Sequence, residues 1–199
     1  MAFPTKRVWL TALAVFWLCG VVSGLWVVWA YDNRPGVAAN APARWPSASA
    51  LAASATTPTL VFVAHPQCSC TRASLDELAE ILSRARTRPR TYVLFLKPSS
   101  TEAGWEQTDL LKRATAIPGV RVVRDDDGVE ARQFGAETSG QTFLYDARGT
   151  LTFSGGITGS RGHSGENDGE LTLIAMLSQG QPRQRVTSVF GCPLFATSE

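Results

Sequence analysis

The first hydrophobic segment of the chain is long and uncharged. Residues 8–31 contain neither a charged residue nor a proline, and about twenty apolar residues suffice for a helix to cross a bilayer. Lys6 and Arg7 precede the segment and Asp32 follows it. The positive-inside rule therefore predicts a single-pass helix in the cell inner membrane, with residues 1–7 in the cytoplasm and the rest of the chain in the periplasm. A cleaved signal peptide is the alternative, although the apolar run is longer than a usual signal core.

Residues 32–58 follow a different pattern, rich in Ala, Pro and Ser and poor in large apolar side chains. Such a composition is typical of a linker. We therefore expect a tether over residues 32–58 and a folded domain over residues 59–199.

From residue 59 onward, short apolar runs alternate with segments of helical periodicity. The apolar runs predict strands over 59–64, 91–96, 120–123, 142–145 and 151–153, the last two joined by a hairpin turn. Apolar spacings of three and four residues predict helices over 75–82, 105–116, 128–134 and 169–177. This order predicts an α/β fold, a three-layer sandwich with a mixed sheet of thioredoxin type.

Charge and cysteine content exclude two classes of protein. The 199 residues include 19 Lys and Arg against 17 Asp and Glu, so the chain lacks the basic surplus of a nucleic-acid-binding protein. Four cysteines, unevenly placed, are too few for a disulfide scaffold. Cys19 lies inside the predicted membrane helix, where we expect it to be an inert apolar residue.

Cys68 and Cys70 lie where the first predicted strand meets the first predicted helix. The amino end of a helix carries partial positive charge and free N–H groups, which stabilise a thiolate and make it reactive. The alternative is a pair of inert, buried cysteines. A disulfide within Cys-x-Cys would close a strained ring, so one of the two could instead pair with a distant thiol.

The residues around the pair offer supporting chemistry. His65, before Pro66 and Gln67 in the turn, could lower the pKa of a thiol, bind a metal or cap the turn. Arg72 and Glu77 are expected to be solvated helix charges, although Arg72 in the first turn could stabilise a thiolate. His163 lies in a polar, glycine-rich loop, where it is either a surface residue or a functional one.

A third cysteine outside the membrane segment, Cys192, lies in an apolar tail over residues 189–195. An odd cysteine outside the cytoplasm needs an explanation. Cys192 is either a resolving thiol for Cys68 or Cys70, or a buried residue that covers the core.

Three segments resemble blocks of bacterial membrane-anchored proteins known as RedB, in the thioredoxin-like superfamily. They are Pro66–Leu75 (PQCSCTRASL), Ser154–His163 (SGGITGSRGH) and Val189–Leu194 (VFGCPL). The resemblance covers residue 59 to the C-terminus and implies a thioredoxin-like fold and a redox role. The chain departs from thioredoxin itself, because Gln141 precedes Thr142 where thioredoxin-like enzymes carry a cis-proline, and because the cysteine spacing is one residue short.

Two main functions remain open. The leading hypothesis is a thiol–disulfide oxidoreductase without a cofactor, acting through Cys68, Cys70 and Cys192 on protein thiols or disulfides at the outer face of the membrane. The alternative is a soft-metal module that binds Cu(I) or zinc through Cys68, Cys70, Cys192 and His163. A redox-inactive domain that binds a partner protein is a third hypothesis.

Overall fold

The structure is a computed structural model of the chain, and it describes residues 5–180 and 185–195. The chain divides into two compact units, residues 1–34 and residues 35–199. The first unit consists of helix α1, Thr5–Asp32. Within the described residues, α1 is the one helix long and apolar enough to cross a membrane, by length and composition, and a signal sequence near the N-terminus would pass the same test.

The second unit contains a five-stranded mixed sheet with helices on both faces. Its elements in chain order are β1 Thr59–Ala64, α2 Cys70–Arg84, β2 Arg90–Lys97, α3 Asp109–Thr115, β3 Val120–Asp126, α4 Val129–Gln133, β4 Thr142–Tyr145, β5 Leu151–Gly155 and α5 Asp168–Gln179. The strand order is β3-β2-β1-β4-β5. β1, β2 and β3 are parallel, whereas β4 and β5 form the antiparallel edge. This topology confirms the predicted thioredoxin-like fold.

The core lies in two layers, one on each face of the sheet. Every residue of the central strand β1 is buried, because helices or loops cover both of its faces. On one face, Leu60 and Phe62 pack against apolar residues of α2 and α5. On the other face, Val61 and Val63 pack in a cluster with Phe134 and Tyr145. The turn that leads into α2 therefore follows directly after a fully buried strand, and this strand holds the turn in place.

The segment predicted to be a tether differs from the expectation. Residues 35–58 belong to the second unit, where the Trp45 ring contacts the rings of Phe134 and Tyr145 at centroid distances of 5.1 and 5.2 Å. The Tyr145 hydroxyl donates to the Pro42 carbonyl oxygen at 3.0 Å. The prediction missed this packing because it weighed the average composition, whereas a single partly buried tryptophan can anchor a short segment through its large apolar ring.

Hydrogen bonds to the buried side chain of Glu130 also hold residues 49–50 against the domain. Glu130, 8% exposed, accepts hydrogen bonds from the Ser49 hydroxyl at 2.5 Å and the Ala50 backbone N–H at 2.8 Å. A buried carboxylate without such donors would be costly, so residues 49–50 and α4 stabilise each other.

The predicted helix over 105–116 is shorter in the structure. Residues 103–106 form a turn, and α3 begins only at Asp109. The other predicted elements are present, with bounds that differ by a few residues.

Candidate active site

The site begins at the turn between β1 and α2. Cys70 is the first residue of α2, and Cys68 lies in the turn before it, where its backbone N–H donates to the His65 carbonyl oxygen at 3.1 Å. Cys68 is 2% exposed and Cys70 is 8% exposed. The two cysteines therefore lie at the strand-to-helix junction, as the sequence predicts, but below the surface.

The C-terminal segment brings Cys192 to the same place. We call residues 189–194 the tail. It runs antiparallel to residues 137–139: the Ser139 N–H donates to the Cys192 carbonyl oxygen, and the Leu194 N–H donates to the Glu137 carbonyl oxygen, both at 2.9 Å. This pairing places the Sγ atoms of Cys192 and Cys68 2.8 Å apart, with all three cysteines of the site as free thiols.

A glycine permits this close approach. A Cβ atom on Gly191 would lie 1.9 Å from the Ser139 carbonyl oxygen, far inside van der Waals contact. Only glycine at position 191 lets the tail pack against residue 139 and lets the neighbouring Cys192 reach Cys68.

Cys68 is the acidic thiol of the three. Burial raises the pKa of Cys68, but hydrogen bonds from the Cys192 thiol, from the backbone N–H groups of Cys192 and Cys70, and from the Thr71 hydroxyl together hold that pKa below its ordinary value. Donors of this kind favour the charged form of the acceptor. The Cys68 sulfur is thus surrounded by groups that stabilise a thiolate.

The pKa values of the other two thiols are raised. Burial and the neighbouring Cys68 charge raise the pKa of Cys70. Burial, the hydrogen bond with Cys68 and the same charge raise the pKa of Cys192 to about 12. For both thiols, the positive charge of Arg161 acts in the other direction and lowers the pKa. The pKa of Cys68 is thus lowered, whereas the pKa values of its two neighbouring thiols are raised.

Ser139 connects the turn to the tail, and sequence reasoning missed it. Its hydroxyl accepts from the His65 backbone N–H at 2.8 Å and shares a hydrogen bond of 2.9 Å with the Thr71 hydroxyl. Its backbone N–H holds Cys192. The sequence gives one signal for Ser139, which is its position just before the strand β4. Because the start of β4 pairs with the end of β1, the residues just before β4 lie close to the turn that carries Cys68.

Gln141 and Thr142 shape the loop that carries Ser139. The Gln141 carbonyl oxygen accepts from the Val63 N–H at 2.9 Å, its side-chain amide donates to the Ser154 hydroxyl at 3.4 Å, and the Thr142 hydroxyl donates to the Gly140 carbonyl oxygen at 3.2 Å. Both residues are buried. The described residues contain no cis peptide bond, so a trans backbone forms the loop at the position where thioredoxin-like enzymes carry a cis-proline.

The residues of the turn before Cys68 support its backbone. The His65 Nδ1 accepts from the Gln67 N–H at 3.2 Å, its ring meets the Trp105 ring edge-on, and burial lowers its pKa. Pro66 is buried and its carbonyl oxygen accepts from the Thr108 hydroxyl at 3.0 Å. His65 therefore caps the turn through its Nδ1 atom.

Arg72 is an exposed helix charge, as expected, whereas the expectation for Glu77 needs correction. Arg72 pairs with Asp109 at the surface and makes no hydrogen bond to a cysteine in the described part of the chain. Glu77, expected to be solvated, is 5% exposed and accepts from the Gly165 N–H at 2.6 Å. The positive charge near the thiols belongs instead to Arg161, whose guanidinium donates to the Gly191 carbonyl oxygen.

His163 is exposed and lies in the same loop as Arg161. Its Nδ1 forms a 2.7 Å hydrogen bond with the Arg161 carbonyl oxygen, and it makes no hydrogen bond to the three cysteines over residues 5–180 and 185–195. Among those residues no group of three or more His, Cys, Asp or Glu side chains is placed to hold a metal ion. The structure thus brings Cys68, Cys70 and Cys192 together but leaves His163 apart.

Comparison with known proteins supports the fold. No protein-family model and no curated protein matches the chain. An uncharacterised conserved protein from Geobacillus kaustophilus aligns with a TM-score of 0.58 at 12% identity, covering 84% of this chain and 94% of that one. A hypothetical protein from Sinorhizobium meliloti 1021 aligns with a TM-score of 0.57 at 17% identity, covering 82% of this chain and 100% of that one. At such identities the likeness is one of fold alone.

A third solved structure has a more specific description. It is a secreted Mycobacterium tuberculosis disulfide oxidoreductase homologous to E. coli DsbE, with a TM-score of 0.39 at 15% identity, covering 50% of this chain and 68% of that one. This similarity is too low to carry a functional argument.

Proposed function

We propose that the chain is a membrane-anchored, extracytoplasmic thiol–disulfide oxidoreductase in which Cys68 is the nucleophile and Cys192 the resolving thiol. The observation that carries the proposal is the 2.8 Å separation of the Cys68 and Cys192 sulfurs, together with the donors that favour the Cys68 thiolate. Inert core cysteines do not require such donors.

The reaction follows from the order of acidity. The Cys68 thiolate attacks one sulfur of a partner's disulfide, forms a mixed disulfide, and releases the partner's other sulfur as a thiolate, which takes up a proton. Cys192 then loses its proton and attacks the Cys68 sulfur. A Cys68–Cys192 disulfide forms, the partner leaves as a dithiol, and two electrons have moved to it. A dithiol protein as reductant restores the starting state by the reverse steps.

Cys70 has a supporting role in this scheme. Its thiol donates to the Cys68 sulfur, and its own pKa is raised, so it is the poorer nucleophile. The spacing from Cys68 also makes a direct disulfide between the two strained. Cys192, which approaches from a separate segment, meets no such restriction.

Access to Cys68 requires the tail to move. With the tail in place Cys68 is 2% exposed, and Cys192 occupies the approach to its sulfur. A partner disulfide can therefore reach Cys68 only after residues 189–194 have moved aside. Protein thiols and disulfides are the proposed partners, and no cofactor takes part.

The proposed location follows from the charges at the ends of α1. Lys6 and Arg7 at its start favour a cytoplasmic N-terminus, which places residues 35–199 where disulfides persist. Membership of the RedB group, proposed from the three sequence blocks, agrees with an anchored redox protein.

Peptide mapping of the full chain tests the function. After mild oxidation, non-reducing mapping should find a Cys68–Cys192 disulfide, and Cys192→Ser should accumulate mixed disulfides between Cys68 and partner proteins, because the resolving step is lost. Cys19→Ser is the matched control and should leave both results unchanged.

The metal alternative predicts another pattern. If Cys192 remains reduced after oxidation and Cys192→Ser weakens Cu(I) or zinc binding without trapping a partner, the oxidoreductase proposal is wrong and the metal-binding module is correct.

A further inference from the structure

The glycine-rich loop over residues 159–165 contacts the tail, although the scheme above gives the loop no part. We infer that Arg161 is the positioning residue of the resolving step: it holds the Gly191–Cys192 peptide beside Cys68 and places a positive charge next to the attacking thiol. This inference rests on the proposed function and assigns the positively charged side chain of Arg161 to its second step.

The first support is the position of the guanidinium. Arg161 donates from Nη1 to the Gly191 carbonyl oxygen, across 30 residues of chain. That oxygen belongs to the peptide bond that leads directly into Cys192. With the Ser139 N–H on the carbonyl oxygen of Cys192 itself, the tail backbone is held on both sides of the cysteine.

The second support is that the loop carrying Arg161 is itself fixed. The buried carboxylate of Glu77 in α2 accepts from the Gly165 N–H at 2.6 Å. Ser160 and His163 form an isolated β-bridge, and the His163 ring bonds to the Arg161 carbonyl oxygen at 2.7 Å. The loop that carries Arg161 is therefore held in place by hydrogen bonds, and the position of Arg161 is restrained with it.

The third support is the charge balance during resolution. Among residues 5–180 and 185–195, the charged groups with the largest effect on the pKa of Cys192 are Cys68, Cys70 and Arg161. In the resting site the Cys68 charge opposes ionisation of Cys192. Once Cys68 is in a mixed disulfide, that charge is gone, and Arg161 is the group left that favours the Cys192 thiolate. Its effect thus becomes decisive at the step where Cys192 must attack.

A pH-jump experiment isolates this step. In full-length protein carrying Cys19→Ala and Cys70→Ser, dithiodipyridine converts Cys68 into a mixed disulfide at acidic pH, where Cys192 stays protonated. Raising the pH lets Cys192 attack, and the released thiopyridone is followed by stopped-flow absorbance. The pH profile of this release reports the ionisation of Cys192.

The variants separate charge from structure. Arg161→Gln removes the charge and keeps a neutral amide on a shorter side chain, and it should slow release at neutral pH by roughly tenfold, the effect of a pKa shift of about one unit. The rate should approach that of the parent at high pH. Arg161→Lys keeps the charge and should restore most of the neutral-pH rate. Arg148→Gln, which removes an exposed arginine in the β4–β5 turn, is the matched control and should behave like the parent.

Two results with the Arg161 variants would overturn the inference. One is an unchanged pH profile in Arg161→Gln. The other is an equal slowing at every pH that Arg161→Lys does not relieve, since that pattern belongs to a purely structural residue. If the parent itself releases no thiopyridone after the pH jump, Cys192 is not the resolving thiol, and the proposed function fails with it.

Discussion

At the residue scale, hydrogen bonding is distributed unequally among the sulfurs of the three neighbouring cysteines. Hydrogen bonds with the Cys192 thiol, the Thr71 hydroxyl and backbone N–H groups lower the pKa of Cys68, whereas the hydrogen bonds that Cys70 and Cys192 make with Cys68 raise their own pKa values. A hydrogen bond to a charged acceptor contributes about 1.5–3 kcal/mol, so a few such bonds offset the burial of one thiolate. The relative pKa values of the three thiols therefore depend on their hydrogen bonds, and not on the Cys-x-Cys spacing alone.

The lowered pKa of Cys68 predicts the pH dependence of its alkylation. A thiol with a lowered pKa remains a thiolate as the pH falls below the ordinary range, so a small alkylating reagent should still modify Cys68 at mildly acidic pH. Cys192, with its raised pKa, should react only in alkaline solution. Mass spectrometry of peptides after timed alkylation measures both rates. Equal pH profiles for the two thiols would contradict the assignment of Cys68 as nucleophile.

Thr71 supplies one of these donors and can be removed with little change of shape. Thr71→Val should raise the pKa of Cys68 and slow its alkylation at pH 6 by about tenfold, the effect of one pKa unit. Thr71→Ser keeps the hydroxyl and should retain the rate. Thr115→Val is the matched control, because that exposed hydroxyl bonds only to the Leu111 carbonyl oxygen.

Gly191 tests the geometry of the tail. In Gly191→Ala the new methyl group would collide with the Ser139 carbonyl oxygen, so the tail must shift away from residue 139. We expect formation of the Cys68–Cys192 disulfide to fall by about tenfold or more, as small misplacements of reacting groups can cause such losses. Non-reducing peptide mapping after timed oxidation measures this. Gly159→Ala, whose Cβ would meet only Asn167 at 3.7 Å, should oxidise like the parent.

At the element scale, local hydrophobic patterns predict the strands and helices, whereas the site also depends on pairing between segments that are distant in the sequence. The strand before Cys68 and the helix after Cys70 could be predicted because both patterns lie in one short stretch of sequence. The pairing of the tail with residues 137–139 could not, since Cys68 and Cys192 lie 124 residues apart and no local pattern encodes which edge a short segment will join. Arg161 was missed for the same reason, since its contact is with the tail.

The segment over residues 35–58 allows a test at this scale. Trp45 packs against Phe134 and Tyr145, so Trp45→Ala should lower the free energy of unfolding by about 2 kcal/mol, less than the loss at a fully buried aromatic residue. Chemical denaturation of the detergent-solubilised chain measures this. Val37→Ala changes an exposed residue of the same segment and should shift stability by less than about 0.5 kcal/mol. A stability unchanged by Trp45→Ala would restore the tether interpretation.

At the scale of the whole molecule, the chain combines an apolar helix with a domain that carries three neighbouring free cysteines. Structure and sequence agree that α1 is long and apolar enough to span a bilayer, and the residues that decide its orientation are Lys6, Arg7 and Asp32. The orientation remains a prediction from charge.

A fusion after Glu199 tests that orientation. A reporter active only in the periplasm should be active there, and a reporter active only in the cytoplasm should be silent. Replacing Lys6 and Arg7 with glutamate should reduce the periplasmic signal. The opposite reporter pattern would place the cysteines in a reducing compartment, where a structural disulfide does not persist.

The tail that closes over Cys68 is part of the same chain, and this has a kinetic consequence. A tethered segment competes with any free partner at an effective concentration in the millimolar range, so a small thiol or disulfide should react slowly at low concentration and needs an excess, as with dithiodipyridine, to modify Cys68. For the proposed exchange we therefore expect a protein partner to bind the edge formed by residues 137–139, which the tail leaves unpaired when it opens. In the proposed exchange, the rate at saturating partner should level off at the rate at which residues 189–194 open, and this ceiling should be the same for every partner.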